Sequence, residues 1–299
     1  MTARVPAAVV RAAIALAGAP AHAAQRLSAR SRTAVYRAGL ADGRSVVITL
    51  YAATARRNAI TESAAIRAVA DHVSVPAVIG YGHVPGHEAT ALVTADLGTL
   101  TLGGAARSGQ ISDERALKDL AGLLGRLHRA PVQSWAPRRA FFEQVTSLGR
   151  RCPPSVLDRI APALAAITDA VDTTTPVWCH GDLHGDNVVL AGHRAGHRSV
   201  RHLVDFTDAT AGPRESDVAQ TLVMTDAVRS PLRARTVTDA YPLTLDHHLL
   251  AAWTVFHTTR CWAHSSPGDD RAIWADRLDE LSRRTPHLFC IRRPERTHR

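Results

Sequence analysis

VWCHGDLHGDNVVL (residues 177–190), followed by LVDF at 203–206, is the stretch on which the reading of this chain turns. It sets His180, Asp182 and Asn187 in the pattern H-x-D-x-x-x-x-N and adds Asp205 in a later D-F pair. In that order the first aspartate contacts an acceptor hydroxyl, while the asparagine and the second aspartate hold divalent metal ions. The chemistry requires such a layout. A polyphosphate needs hard oxygen ligands for its Mg²⁺, and the acceptor oxygen must lie in line with the phosphorus it attacks. His180 is expected to pack under the loop and fix its shape. The apolar flanks Val177-Trp178 and Val188-Val189-Leu190 frame a short strand and loop.

Two other readings of the same residues fail on composition and spacing. GDLHG at 181–185 matches the G-D-x-H-G signature of metallophosphoesterases, but that fold needs a later asparagine-containing motif. The chain's two asparagines are Asn58 and Asn187, and none follows 187. A zinc site from His180 and His184 would need a helix to bring i and i+4 together. Gly181 and Gly185 argue against one, and no glutamate sits between the histidines.

The 299 residues are enough for two modest domains, and 45% hydrophobic with 21% charged residues describes an ordinary globular chain. Lys118 is the only lysine, so arginine carries nearly all the positive charge. That charge is uneven. Residues 1–60 hold nine arginines against Asp42, whereas 208–280 hold eleven acids against seven arginines. A basic N-terminal part suits an anionic nucleotide and an acidic C-terminal part a cationic acceptor. The basic residues form no aromatic-interleaved stripe, so nucleic acid is not an expected partner. Cys152, Cys179, Cys261 and Cys290 include no C-x-x-C pair, which points to free thiols and a cytoplasmic location. The N-terminus imitates a secretion signal ending at Ala21-His22-Ala23. Arg11 interrupts its apolar run, and an amphipathic helix over 7–18 is the reading adopted. No segment reaches the ~20 apolar residues that span a bilayer, so no membrane association is expected.

Along the chain, 25–52 reads as three antiparallel strands, with Asp42-Gly43 as the hairpin turn before the β-branched run Val46-Val47-Ile48-Thr49. A helix over 60–72, a short strand between Pro76 and Pro85, and a strand over 89–98 complete a small α+β lobe. From Ser112 the pattern is helical, with Leu117, Leu120, Leu124 and Leu127 on one face. Further helices are expected over 155–171, 214–228, 244–264 and 270–284. Gly192 and Gly196 mark a turn, and RHLVDF reads as a buried strand.

The segments HGDLHGDN, LVDFTDATAGPRESDVAQ and LGRLHRAP resemble the aminoglycoside phosphotransferase family, also described as choline-kinase-like small-molecule kinases. The resemblance implies an α+β, bilobal, protein-kinase-like fold. Its small antiparallel-sheet N-lobe (1–97) would bind nucleotide, and a larger, mainly helical C-lobe (98–299) would carry the catalytic loop. It implies Asp182 as the catalytic aspartate, Asn187 and Asp205 as Mg²⁺ ligands, and Asp217 as a brace for the active-site floor. LSARSRTAVYR matches the phosphate-covering hairpin, with Ser28 and Ser31 as phosphate contacts. Glu62 matches the helix glutamate that pairs with a strand-three lysine, and Thr49 stands where that lysine is expected. Arg44, Arg56 or Arg57 could replace its charge, or Mg²⁺ and backbone donors could suffice. The remaining alternative is a non-catalytic, nucleotide-binding protein.

The activity so implied is transfer of the γ-phosphoryl of ATP or GTP to a hydroxyl of a small cationic molecule, with an aminoglycoside antibiotic as the leading acceptor. Choline, homoserine or a sugar are the alternatives. Asp208, Glu215, Asp226, Asp269 and Asp270 are the acids expected to bind the acceptor.

Overall fold

The computed structural model describes residues 5–30, 32–138, 141–192 and 200–289. Helix α1 (Ala7–Ala17) precedes strands β1 (Ala21–Arg30), β2 (Thr33–Leu40) and β3 (Ser45–Ala52). Helix α2 (Arg56–Val69), strands β4 (Val78–His83) and β5 (Ala89–Ala95) and helix α3 (Leu102–Arg107) follow. Then come helices α4 (Asp113–Leu127), α5 (Phe141–Gly149) and α6 (Pro154–Val171). Four short strands are next: β6 (Val177–Cys179), β7 (Val188–Ala191), β8 (Val200–Leu203) and β9 (Thr210–Gly212). Helices α7 (Arg214–Met224), α8 (Pro231–Ala240), α9 (His247–His264) and α10 (Asp269–Arg284) close the order.

The chain divides into two compact units, Met1–Gln110 with Asp186–Ala209 and Ile111–Gly185 with Thr210–Arg299. This differs from the contiguous 1–97 and 98–299 read from the sequence. Helix α3 and the β7–β8 ribbon go with the N-terminal residues because hydrogen bonds tie them there. Leu190 N donates to Leu100 O at 2.8 Å and Leu203 N to Ser74 O at 2.9 Å.

In the first unit the five strands form one antiparallel sheet in the order β1-β2-β3-β5-β4. The β2–β3 turn falls at Asp42-Gly43, where Gly43 takes φ +85°, a conformation that costs glycine little. Side chains alternate across the sheet. One face presents Ala38, Leu40, Val46, Ile48, Ala91 and Val93 to α1, which answers with Val9, Ala12, Ala13 and Ala17 at helical spacing. The A-x-A triplet lies in β1, with Ala21 paired to Leu40. Gly80 lets α1 approach β4 closely, since a Cβ there would stand 2.8 Å from Leu16 O.

The second unit is helical around α9, whose residues Leu249, Leu250, Trp253, Val255, Phe256 and His257 are buried against α6, α7 and α10. Phe141 and Trp253 pack edge to face, 5.4 Å between ring centroids, and Phe256 meets Trp253 at 5.3 Å. Helix α4 begins where Ser112 Oγ accepts from Arg115 N at 3.2 Å, and its five leucines are buried. Helices α3, α5 and α8 were not anticipated. The first carries two glycines, and the last is polar with weak periodicity. The strand expected at RHLVDF ends at Leu203, and of its six residues only Leu203 and Phe206 are buried, because β8 is one edge of a two-stranded ribbon whose Val200 is exposed. Cys152, Cys179 and Cys261 are free thiols, and Cys290 and Gly196 lie outside the described residues. Among the described residues no helix is long and apolar enough to cross a membrane.

Replacing Gly80 by alanine should lower stability by about 1–3 kcal/mol, the usual cost of overpacking, read as a reduced urea midpoint. Gly82→Ala is the control. Its Cβ would meet only Leu16 Cδ2 at 3.5 Å, an ordinary contact, and the midpoint should stay near wild type.

Candidate active site

The sheet face turned away from α1 lines a cavity of about 310 Å³ within the first unit. Alternation supplies Val35 and Arg37 from β2, Val47 and Thr49 from β3, and Leu92 and Thr94 from β5. Ser28, Glu62, Asn187 and Asp205 also line it. Five of the six nucleotide- and metal-site residues expected from the sequence therefore meet at one cavity of ligand size. The sixth, Ser31, lies outside the described residues.

Asn187 and Asp205 reach the cavity by way of the β7–β8 ribbon. Asn187 immediately precedes β7, and Val204 N donates to Asn187 O at 3.0 Å, so both residues flank the ribbon's open end. Asp205 adopts φ 63°, ψ 64°, an uncommon left-handed backbone for a residue with a side chain, of a kind that clusters at functional sites. Its Oδ1 accepts from Thr207 Oγ1 at 2.7 Å.

No lysine lines the cavity among the described residues, and Arg37 is its one basic side chain. That guanidinium is already committed. Nε donates to Asp96 Oδ2 at 2.8 Å and Nη2 to Gly98 O at 2.6 Å, while Ser45 Oγ adds a bond to the same carboxylate at 2.7 Å. Burial raises the Asp96 pKa, but these bonds outweigh it and hold the carboxyl below its usual range. None of the three arginines considered as replacements for the lysine charge lines the cavity. Arg44 is held in the β2–β3 turn by Asp42 (2.8 Å) and the Ala17 carbonyl, and Arg56 and Arg57 are exposed at the start of α2.

What meets Glu62 instead is hydroxyl. Glu62 is buried, the Tyr51 hydroxyl donates to its Oε2, and Thr207 Oγ1 lies 3.2 Å from the same oxygen. Burial is the main cause of its carboxyl being pushed up to about 7, with the Asp205 charge adding to the rise. Burial likewise pushes up Tyr51, which stays protonated. With a proton on Glu62, the groups form a directed chain from Tyr51 through Glu62 and Thr207 to Asp205. A neutral acid beside a phenol has the same net charge as a lysine–glutamate pair, but it offers no cation to a phosphate. Tyr51 and Thr207 were missed in the sequence. The available signals were a tyrosine two residues beyond Thr49 on the same strand face, and a hydroxyl directly after Asp205-Phe206.

The second unit holds Asp182. Strand β6 pairs with β9, and just after it the buried Asp217 carboxylate collects two backbone amides, His180 N at 2.8 Å and Gly181 N at 2.9 Å. Gly181 takes φ +80° there, which explains a glycine at this turn. His128 Nε2 lies 3.0 Å from the same carboxylate and its Nδ1 2.6 Å from the Tyr241 hydroxyl. Burial would raise the Asp217 pKa, but the His128 bond and the backbone donors prevail and lower it. His180 is fully buried, with Nδ1 accepting from Asp182 N at 3.4 Å. Asp182 keeps a 19% exposed side chain, 3.9 Å from His184 Nε2. His128, Cys179 and Asp217 bring ligand atoms within 4.8 Å of one another. The ring nitrogens and both carboxylate oxygens are already hydrogen-bonded, and burial keeps the thiol protonated, so the cluster is an internal brace.

The acids expected to bind an acceptor are scattered. Glu215 is buried, with Oε1 accepting from Asp246 N at 3.3 Å, and Asp226 pairs with Arg277 at 3.0 Å. Both serve their own chain. Asp269 and Asp270 are exposed in the first turn of α10, and the half-buried Asp208 belongs to the first unit.

Residues 23–253 match the family described as the phosphotransferase enzyme family. The chain belongs to that family. Among solved structures, the GDP complex of wild-type aminoglycoside 2'-phosphotransferase-IIIa superposes with TM-score 0.66 at 15% identity, covering 92% of this chain and 97% of the other. Choline kinase LicA from Streptococcus pneumoniae gives 0.65 at 13%, with 91% and 97% covered. The amicoumacin kinase hAmiN, in complex with AMP-PNP, Ca²⁺ and Ami, gives 0.64 at 17%, with 88% and 89% covered. The phosphotransferase fold, a five-stranded antiparallel unit and a helical unit, is thus shared at low identity.

Glu62 gives the phosphotransferase a stability component that depends on pH. Its folded pKa lies above the ordinary 4.5, so the contribution is full below about 4.5 and is lost as pH rises through about 7. Replacing it by glutamine removes the proton. The unfolding free energy of wild type relative to Glu62→Gln should therefore fall by about 2–3 kcal/mol between pH 5 and pH 8, measured by urea titration at each pH.

Proposed function

We propose that this phosphotransferase is a small-molecule kinase that transfers the γ-phosphoryl of ATP or GTP to a hydroxyl of a cationic acceptor of the aminoglycoside kind. The carrying observation is that Asn187 and Asp205 line one cavity with Ser28, Thr49 and Glu62. The donor set fits a hard divalent ion, since both candidate ligands offer side-chain oxygen and one is a carboxylate. Asn187 and Asp205 would hold Mg²⁺, which when bound neutralises phosphate charge. Asp182 receives the acceptor hydroxyl and its proton, an effect worth roughly 10²–10⁴ in rate. Ser28 supplies a hydroxyl donor to the phosphates from β1. His180 and Asp217 fix the backbone before Asp182, so that its carboxylate need not reorganise as the acceptor arrives.

Charge separates this cavity from one with a lysine at position 49. Arg37 is neutralised by Asp96, so phosphate binding depends on the metal and on hydroxyl and backbone donors. The cationic acceptor rests on the family, on the aminoglycoside phosphotransferases of similar fold, and on the acidic 208–280 region. Asp269 and Asp270, exposed in the first turn of α10, are the acids left for ammonium groups once Glu215 and Asp226 are assigned to their internal partners. Resistance to, or self-protection from, an antibiotic in the cytoplasm would be the biological role.

Incubation with Mg²⁺-ATP or Mg²⁺-GTP and a panel of aminoglycosides, choline, homoserine and sugars tests the reaction through nucleoside diphosphate release. Asp182→Ala should cut kcat by about 10²–10⁴ with nucleotide affinity retained, whereas Asp205→Ala should weaken metal-nucleotide binding itself. A chain that releases no diphosphate with any acceptor and binds no nucleotide in calorimetry is not this enzyme. Turnover with choline, homoserine or a sugar alone would keep the kinase and replace the acceptor.

A further inference from the structure

Three elements of the first unit converge on Asp205 through a single line of hydrogen bonds. Tyr51, the penultimate residue of β3, donates to Glu62 on α2; Thr207, two residues after Asp205, contacts both Glu62 Oε2 (3.2 Å) and Asp205 Oδ1 (2.7 Å). Tyr51 is fully buried and Glu62 is 6% exposed, so neither oxygen is placed to satisfy solvent. The geometry points to Tyr51, Glu62 and Thr207 as positioning residues that fix the Asp205 carboxylate for its metal ion, so that strand β3 and helix α2 are coupled to metal binding through hydroxyls. This rests on Asp205 being the metal ligand proposed above.

The need for such a device follows from the backbone. Asp205 holds a left-handed conformation that persists only where the surroundings impose it, and its side chain has two free torsions. Thr207 is β-branched, so few χ1 states are open to its hydroxyl, and the 2.7 Å bond commits Oδ1 while leaving Oδ2 for another partner. Glu62 and Tyr51 extend the support from this turn into the sheet. Thr49 makes the arrangement necessary. With no cation beside it, the buried Glu62 carboxyl must find hydroxyl partners, and those partners link it to Asp205. Hydrogen-bonding partners of metal ligands typically affect metal affinity about 10–100-fold.

The test reads metal binding rather than turnover. Mn²⁺ uptake by the full chain is followed by electron paramagnetic resonance in the presence of ADP, for wild type, Thr207→Val, Thr207→Ser and Tyr51→Phe, with the unfolding midpoint of each. Thr207→Val, which keeps shape and removes the hydroxyl, should weaken Mn²⁺ affinity by roughly 10–100-fold. Thr207→Ser should restore it, and Tyr51→Phe should fall between, although it touches neither metal nor Asp205. Tyr51→Phe removes one oxygen and no carbon, and it carries the test if Thr207→Val does not fold. Wild-type affinity in both Thr207→Val and Tyr51→Phe overturns the relay and leaves the cavity assignment standing. Weakening in Thr207→Val alone also overturns it, reducing Thr207 to a local contact. Failure of the wild type to take up Mn²⁺ with ADP overturns the cavity assignment itself.

Discussion

A β-strand must send successive side chains to opposite faces, and that constraint organises the first unit of this protein. The strand SVVITLY gives Val46 and Ile48 to the core beneath α1, and Val47 and Thr49 to the cavity. A slip of one residue would put Thr49 into an alanine-rich packing surface and turn Val46 and Ile48 into the cavity. The close fit of α1, with Leu16 against Gly80, pins the apolar face and so protects the register of the other. The cavity face is held in place by packing on the opposite side of the sheet.

On the cavity side, the dominant fact is electrostatic. Among the described residues, Glu62, Asp96, Asp186 and Asp205 line the cavity against Arg37 alone. Asp96 is met by Arg37, and Asp186 by Arg107 at 2.7 Å. Glu62 avoids the cost of a buried charge by raising its pKa and by bonding to hydroxyls. Asp205 is left as the carboxylate whose best partner is a cation.

The second unit solves a different problem, that of holding a loop still without secondary structure. A buried carboxylate costs several kcal/mol unless hydrogen bonds satisfy it. Asp217 meets that condition with two backbone amides and the His128 ring, which Tyr241 orients in turn. The result is a braced approach to Asp182 made from residues at the C-terminal ends of α4 and α8 and on α7. Buried polar networks of this kind are worth their cost only when every member is paired.

Much of this was legible in the chain itself. Asp42-Gly43, the β-branched run after it, the leucines at 117, 120, 124 and 127, and H-x-D-x-x-x-x-N are local patterns, and local patterns fix strand, turn, helix and loop. The short helices α3 and α8 escaped because glycine or weak periodicity hides them, and β8 was misread as buried because an apolar run does not say how many neighbours it will have. The partners of Glu62 depended on distance in space. Tyr51 and Thr207 lie 11 and 145 residues from Glu62 along the chain, and only folding brings three hydroxyl and carboxyl groups into one line. For the same reason Arg44, plausible by proximity in sequence, is claimed by Asp42, while Arg37 reaches the cavity only to be neutralised there. The sequence determined which chemical groups exist and the order in which they occur; tertiary structure decided which of them share a proton or a charge, because burial and contact are properties of the packed chain alone.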